Sequence, residues 1–181
     1  MACKGNGKEI MTKLRALLER FGIKQFDVLL VGDGSGTTWN TPAGWCVILL
    51  DLVTGRKELM TGAKNRGSIN RAELQPYLEA LAFHYYGINK GKLSRVLDVH
   101  IISDSEVTVK CGRGVYQRKA NTDLWCMVDF WRTKGYNLHW HYVAAHVKDE
   151  PESHVLTDKV AGESRKRMEL APSSDILEDM F

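Results

Sequence analysis

FDVLLVGDGSG, residues 26–36, is a short, nearly continuous apolar run that ends in glycines around a single aspartate, Asp33. Such a run is expected of a strand buried on both faces. Working outward, GWCVILLDL (residues 44–52) reads as a second strand, Thr54-Gly55 as a turn, and KELMTGA (57–63) as a third strand. Their short connections predict antiparallel pairing. From about Asn70 to Tyr86 the period changes to that of a helix, with Leu74, Leu78, Leu81 and Tyr85 as its buried stripe. Pro76 falls inside that pattern and is expected to kink or weaken it. LDVHIIS (97–103) is a fourth strand, and its helical crossover predicts parallel pairing with the first. Helices near 105–111 and 122–133, a strand in LHWHYVA (138–144) and a helix from Val155 to Met168 follow.

The order βββαβαβα therefore predicts an α/β domain with a five-stranded mixed sheet flanked by helices. An extra amphipathic helix precedes it: Ile10, Leu14, Leu17, Leu18 and Phe21 share one face between Lys8 and Phe21. The expected organisation is an N-terminal extension at 1–25, one domain at 26–170, and an acidic, flexible tail at 171–181. At 181 residues, 44% hydrophobic and 26% charged, the composition is that of an ordinary globular protein. No apolar run reaches the roughly 18 residues of a membrane span, and no secretory core opens the chain. The four cysteines (Cys3, Cys46, Cys111, Cys126) have no metal-ligand spacing. They read as reduced thiols of a cytoplasmic protein, with Cys46 and Cys126 packing in the interior. Net charge is only +3, but Lys110, Arg113, Arg118, Lys119, Arg132 and Lys134 interleave with Tyr116, Trp125 and Trp131. That stretch suits either a phosphate backbone or a solvated helix surface over core aromatics.

In open sheets, sites form beyond the carboxyl ends of parallel strands. Asp33 closes the first strand and Asp104 follows the fourth, so neighbouring strands would bring two carboxylates together. Each acidic residue also has a plainer role. Asp33 before Gly34 suits a turn, Glu73 suits a capping partner of Asn70, Asp104-Ser105 suits a helix start, and Asp158 suits a solvated helix position. His139 and His141 read as surface or packing residues.

Six motifs in order, VGDGSG, INRAEL, IISDSE, NTDLW, VAAH and LTDKVA, resemble type 1 ribonuclease H across roughly Phe26 to Glu169. The resemblance implies the ribonuclease H-like fold and hydrolysis of the RNA strand of RNA–DNA hybrids. It assigns Asp33, Glu73, Asp104 and Asp158 as metal-binding carboxylates holding two Mg2+ ions, with Mn2+ as a substitute. Products would carry 5′-phosphate and 3′-hydroxyl ends. His146 matches the histidine of the loop after the fifth strand and would shuttle a proton or assist product release. The chemistry agrees: carboxylates about 4 Å apart repel by roughly 4 kcal/mol per pair at an effective dielectric near 20, so such a cluster is built to hold hard cations.

The same resemblance implies substrate contacts. Asn70 matches an asparagine directed at the RNA minor groove, Asn40 a similar contact, and Ser68 a hydroxyl in a phosphate pocket for the DNA strand. Gly34, Ser35 and Ser105 flank the carboxylates, and Trp125 packs beneath the substrate face. Two departures stand out. Glu106 occupies a position that commonly holds glutamine, and would either pair with Ser103 or perturb the metal site. The stretch between Val109 and Asn121 is short, without the basic protrusion of longer family members. The chain is expected to be a monomer, with the N-terminal helix or the tail (Asp179, Phe181) available to a replication partner. Two other classes remain open on the residues alone: a DNA-directed nuclease or strand-transfer enzyme on the same fold, and a non-catalytic nucleic-acid-binding module.

Overall fold

A computed structural model describes residues 18–37, 41–144, 157–159, 161–163 and 165–166, with the side chains of 65 and 66 left aside. Asn40, His146, residues 8–17 of the N-terminal helix and the tail at 171–181 lie outside the described residues.

Three strands open the domain: β1 (Val28–Ser35), β2 (Thr41–Asp51) and β3 (Lys57–Gly67). Helix α1 (Ile69–Ala82) continues into a π-helical turn, Phe83–Ile88, and leads to β4 (Leu97–Ser103). Helices α2 (Glu106–Gly112) and α3 (Thr122–Thr133) and strand β5 (Tyr136–Tyr142) follow. A final helix includes 157–159, 161–163 and 165–166. The sheet order is β3-β2-β1-β4-β5. Strands β1, β2 and β3 pair antiparallel, whereas β1–β4 and β4–β5 pair parallel. The predicted architecture is therefore observed.

Alternation sorts the sheet into two cores. Val28, Leu30, Val47, Leu49, Val99, Ile101, Leu138 and Trp140 meet α1, α2 and α3 on one face. Leu29, Val31, Leu50, Ile102 and Val143 form the other, covered in part by Leu18, Phe21 and Phe26. Val28 to Val31 are 0% exposed, which explains why β1 reads as an unbroken apolar run rather than an alternating one. The final helix lies against β2: a Cβ on Gly44 would come within 2.4 Å of Ala161 O and Arg165 N.

Several boundaries differ from the sequence reading. Helix α1 starts at Ile69, because Ser68 is its N-cap and accepts from Arg71 N at 3.4 Å. Glu73 is therefore not a capping partner of Asn70. Pro76 sits inside α1 without ending it and is itself buried. The α-helix instead gives way at Phe83, where the π-helical turn brings His84 into the interior. There His84 Nε2 lies 3.2 Å from Asp51 Oδ2 and His84 Nδ1 lies 2.7 Å from the Tyr136 hydroxyl. This buried chain fastens the β2–β3 turn to the start of β5. Strand β5 begins at Tyr136, two residues before the predicted Leu138. Cys46 and Cys111 are buried, but Cys126 is exposed on α3, contrary to the packing role expected of it.

Gly44→Ala should destabilise the protein by about 1–3 kcal/mol through overpacking against helix backbone that cannot rotate aside. Urea unfolding is the check: a lowered midpoint at unchanged slope is expected, and an unchanged midpoint would mean that the final helix does not press on β2.

Candidate metal centre

Parallel pairing of β1 and β4 runs from Val28↔Val99 to Val31↔Ile102 and then stops. Asp33 and Asp104 each stand two residues beyond that last pair. They are thus equivalent positions on neighbouring strands, at the carboxyl end of the only stretch where β1 meets β4. Glu73 arrives from α1 just after its first turn, where the helix crosses β1 at Gly34. A Cβ on Gly34 would lie 2.3 Å from Ala72 C and 2.4 Å from Glu73 N, so only glycine permits this approach. One ligand oxygen from each of Asp33, Glu73 and Asp104 lies within 4.8 Å of the others. Asp158 on the final helix hydrogen-bonds to Asp33 and adds its charge to both Asp33 and Glu73. All four carboxylates selected from the sequence therefore adjoin one another.

The surroundings favour a bound cation. Asp33 is 3% exposed and Glu73 8% exposed. Burial, reinforced by the charges of Asp104 and Asp158, pushes the Asp33 carboxyl up to about 8, while Gly34 N–H opposes the shift. Burial and then the Asp33 and Asp104 charges raise Glu73 well above the ordinary range. Asp33 Oδ1 accepts from Gly34 N at 2.8 Å, but Glu73 Oε2 is buried with no hydrogen-bond partner among the described residues. No ion pair to lysine or arginine engages Asp33 or Glu73 among the described residues. Hard oxygen donors with an orphaned lone pair fit magnesium or manganese and give no soft donor for zinc.

Behind the carboxylates, Tyr77 projects from α1 one turn after Glu73 and is 0% exposed. Its hydroxyl reaches Gly32 O at 2.8 Å and Ile102 O at 3.0 Å. The sequence reading passed over it. A tyrosine four residues after a candidate ligand, inside an otherwise apolar stripe, was the available signal.

The other selected residues are distributed as follows. Gly34, Ser35 and Ser105 border the centre. Ser105 caps α2, accepting from Thr108 N at 3.3 Å. Ser68 and Asn70 begin α1. Asn70, Lys119, Asn121 and Trp125 line a cleft of about 190 Å³. Trp125 is 6% exposed, packs against Trp140, and carries the Arg118 guanidinium 4.6 Å above its ring. Glu106 neither pairs with Ser103 nor belongs to the carboxylate group, since it ion-pairs with Lys110 at 2.7 Å. Much of the basic stretch is likewise engaged. Arg118 and Arg132 both bind Asp129, and Arg113 donates to Trp140 O at 2.7 Å. Lys119 has no ion pair among the described residues. His139 and His141 face away from the centre. His141 Nε2 meets His100 Nδ1 at 2.9 Å beside Phe21, and His139 pairs with Asp98, so their role is packing.

No family model matches the chain, and no curated protein matches it in sequence. Solved structures do resemble it. The N-terminal RNase H domain of rv2228c from Mycobacterium tuberculosis superposes with a TM-score of 0.63 at 15% identity, over 80% of this chain and 97% of that one. LC11-RNase H1, isolated from compost by a metagenomic approach and solved with an RNA/DNA hybrid, gives 0.61 at 19% identity over 77% and 97%. RNase H1 from Halobacterium salinarum NRC-1 gives 0.55 at 19% identity over 77% and 98%. The fold is the ribonuclease H fold.

The raised carboxyls make cation binding depend on pH. Between its ordinary value of 3.8 and about 8, folded Asp33 holds a proton that the unfolded chain releases, so stability is lost as pH rises through that window. Glu73 acts in the same direction. Burial holds His84, His100 and His141 below their ordinary range, which acts in the opposite sense at mildly acid pH. They are remote from the carboxylates and cancel in a comparison with and without metal. The rise in melting temperature caused by Mg2+ should therefore grow from pH 5 to pH 8. An increment independent of pH would contradict the buried, protonated state assigned to Asp33.

Proposed function

We propose that the protein is an endonuclease that hydrolyses the RNA strand of RNA–DNA hybrids, using divalent cations held by Asp33, Glu73, Asp104 and Asp158. The observation that carries this reading is the meeting of buried Asp33 and Glu73, from β1 and α1, with half-buried Asp104 at the end of β4 and Asp158 beside them. Repulsion among carboxylates at this spacing is relieved either by protons or by cations, and the buried, unpartnered Glu73 Oε2 favours a cation. The hybrid bound to LC11-RNase H1 supplies the substrate class, and the motif resemblance agrees with it.

Two Mg2+ ions at this centre would supply an activated water and neutralise charge on the leaving oxygen, giving 5′-phosphate and 3′-hydroxyl ends. The chain's residues do the placing. Buried Asp33 presents its oxygens from the end of β1, and buried Glu73 presents its own from α1. Exposed Asp158 closes the outer side from the final helix. Ser68 accepts the Arg71 N–H but keeps its own O–H to donate to a phosphate oxygen. Asn70 stands at the edge of the cleft, where its amide can meet a 2′-hydroxyl, the group that distinguishes RNA from DNA. Arg71 does not compete for phosphate, because Asp123 holds it through bonds of 2.9 and 2.6 Å. That pair also ties the start of α1 to the start of α3, across the cleft. His146 assists proton transfer and product release.

Cleavage of end-labelled hybrid, duplex DNA and duplex RNA, with Mg2+, Mn2+ and chelator compared, tests the proposal. Hybrid alone should be cut, and only with metal. Preferential cutting of duplex DNA would place the chain among DNA-directed enzymes, and tight binding without cutting would make it a binding module. Asp33→Asn and Asp104→Asn should each lower the rate by at least about 10²-fold. Both variants should remain folded, and near-normal activity in either would remove the assignment.

A further inference from the structure

Beyond Val31↔Ile102 the parallel ladder between β1 and β4 ends, although both backbones run on to Asp33 and Asp104. The next carbonyl of β1, Gly32 O, and that of Ile102 on β4 face a shared gap. The Tyr77 hydroxyl fills it, 2.8 Å from the former and 3.0 Å from the latter. A phenol has a single proton, so it donates to one carbonyl at a time while holding both within reach. Ser103 also hydrogen-bonds to Tyr77, and Ser103 Oγ accepts from Ser105 N at 3.1 Å. Asp104 is thus bracketed on both sides by contacts that lead back to one tyrosine.

The ring fixes this arrangement sterically. A Cβ on Gly32 would stand 2.7 Å from Tyr77 Cε1 and 3.3 Å from Cys46 O, so the ring occupies the space that a larger residue at 32 would need. Trp140 packs edge-on against the other side, with centroids 5.8 Å apart. Glycine before the aspartate and tyrosine one turn after the glutamate form a matched pair: the small residue on the strand admits the large one from the helix.

We propose that Tyr77 is the positioning residue of the metal centre, its hydroxyl setting the separation of Asp33 and Asp104 by clamping the diverging ends of β1 and β4. This rests on the carboxylates being a cation site, as proposed above. Tyr77 touches neither substrate nor metal; it acts through the backbone of the residue before Asp33 and the residues preceding Asp104. Its removal should weaken cation binding, and hybrid affinity should fall only where metal no longer saturates the site.

The test is calorimetric titration of Mn2+ into chelator-treated protein, without nucleic acid, followed by steady-state cleavage. Tyr77→Phe keeps the ring and removes the clamp, so Mn2+ affinity should fall roughly tenfold. At a fixed, subsaturating Mg2+ concentration cleavage should slow, and saturating metal should restore both kcat and KM for hybrid to near the wild-type values. Ser103→Ala should weaken Mn2+ binding in the same direction by a smaller factor, and it decides the matter if Tyr77→Phe does not fold. Val128→Ala, in the core on α3, serves as the control for lost stability and should titrate like the wild type. Unchanged Mn2+ affinity in a folded Tyr77→Phe, or in Ser103→Ala should the former not fold, overturns the proposal. An equal loss in Val128→Ala overturns it too, because the effect would then be one of general stability. Wild-type protein that binds no Mn2+ would remove the functional reading itself, an outcome distinct from equal binding by both proteins.

Discussion

Carboxylates from β1, α1 and the end of β4, the first two buried and the third half-buried, repel one another when ionised, and the rest of the domain holds them together regardless. The repulsion is strong because water is largely excluded: Asp33 and Glu73 are nearly inaccessible, and burial is the largest influence on each. Without cations the group relieves itself by keeping protons. Protonation costs the site its affinity for hard cations, whose ligands must be ionised. Protons and cations therefore compete for the same oxygens.

What opposes the repulsion is backbone packing. Gly34 lets α1 press on β1 at the point where Glu73 departs, and Gly44 lets the final helix press on β2 near Asp158. Neither contact involves the acidic side chains, so neither is weakened by their protonation. At the far end of the sheet, Asp51, His84 and Tyr136 join the β2–β3 turn, the π-helical turn and β5 in a buried hydrogen-bonded chain. That chain is polar but satisfied: Asp51 also accepts from Val53 N and Thr54 N, which leaves little reason for it to unfold locally.

The sheet order was legible because it rests on local patterns: an apolar run ending in Gly-Asp-Gly marks a central strand, and short connections mark antiparallel pairs. The acidic constellation was legible only through the six motifs that resemble type 1 ribonuclease H, since each carboxylate taken singly also suits a turn, a cap or a solvated helix position. What was not legible depends on partners distant in sequence. Tyr77 looks like one more core residue until Gly32 and Ile102 are seen on either side of its hydroxyl. The bases between Lys110 and Lys134 look like a phosphate track until Asp129 and Glu106 engage three of them. Glu106 was open to two readings, a pairing with Ser103 or a disturbance to the metal site, yet it forms an i,i+4 pair with Lys110. The π-helical turn has no periodic signature at all, since burial of His84 arises from its partners rather than its spacing.

Charge also orders events at the centre. A phosphodiester is an anion and cannot approach ionised carboxylates until cations compensate them. The basic rim does little to help, because Arg71, Arg118 and Arg132 already face aspartates. Lys119 at the cleft has no ion pair among the described residues. Under the proposed function, substrate attraction in this chain must come largely from the bound cations and from uncharged donors such as Ser68 and Asn70. Recognition by neutral donors is short in range and sensitive to geometry, whereas a basic track attracts any nucleic acid. Under the proposed function such a chain would bind weakly until metal is in place and would then discriminate by the shape and hydroxyl pattern of the strand in its cleft.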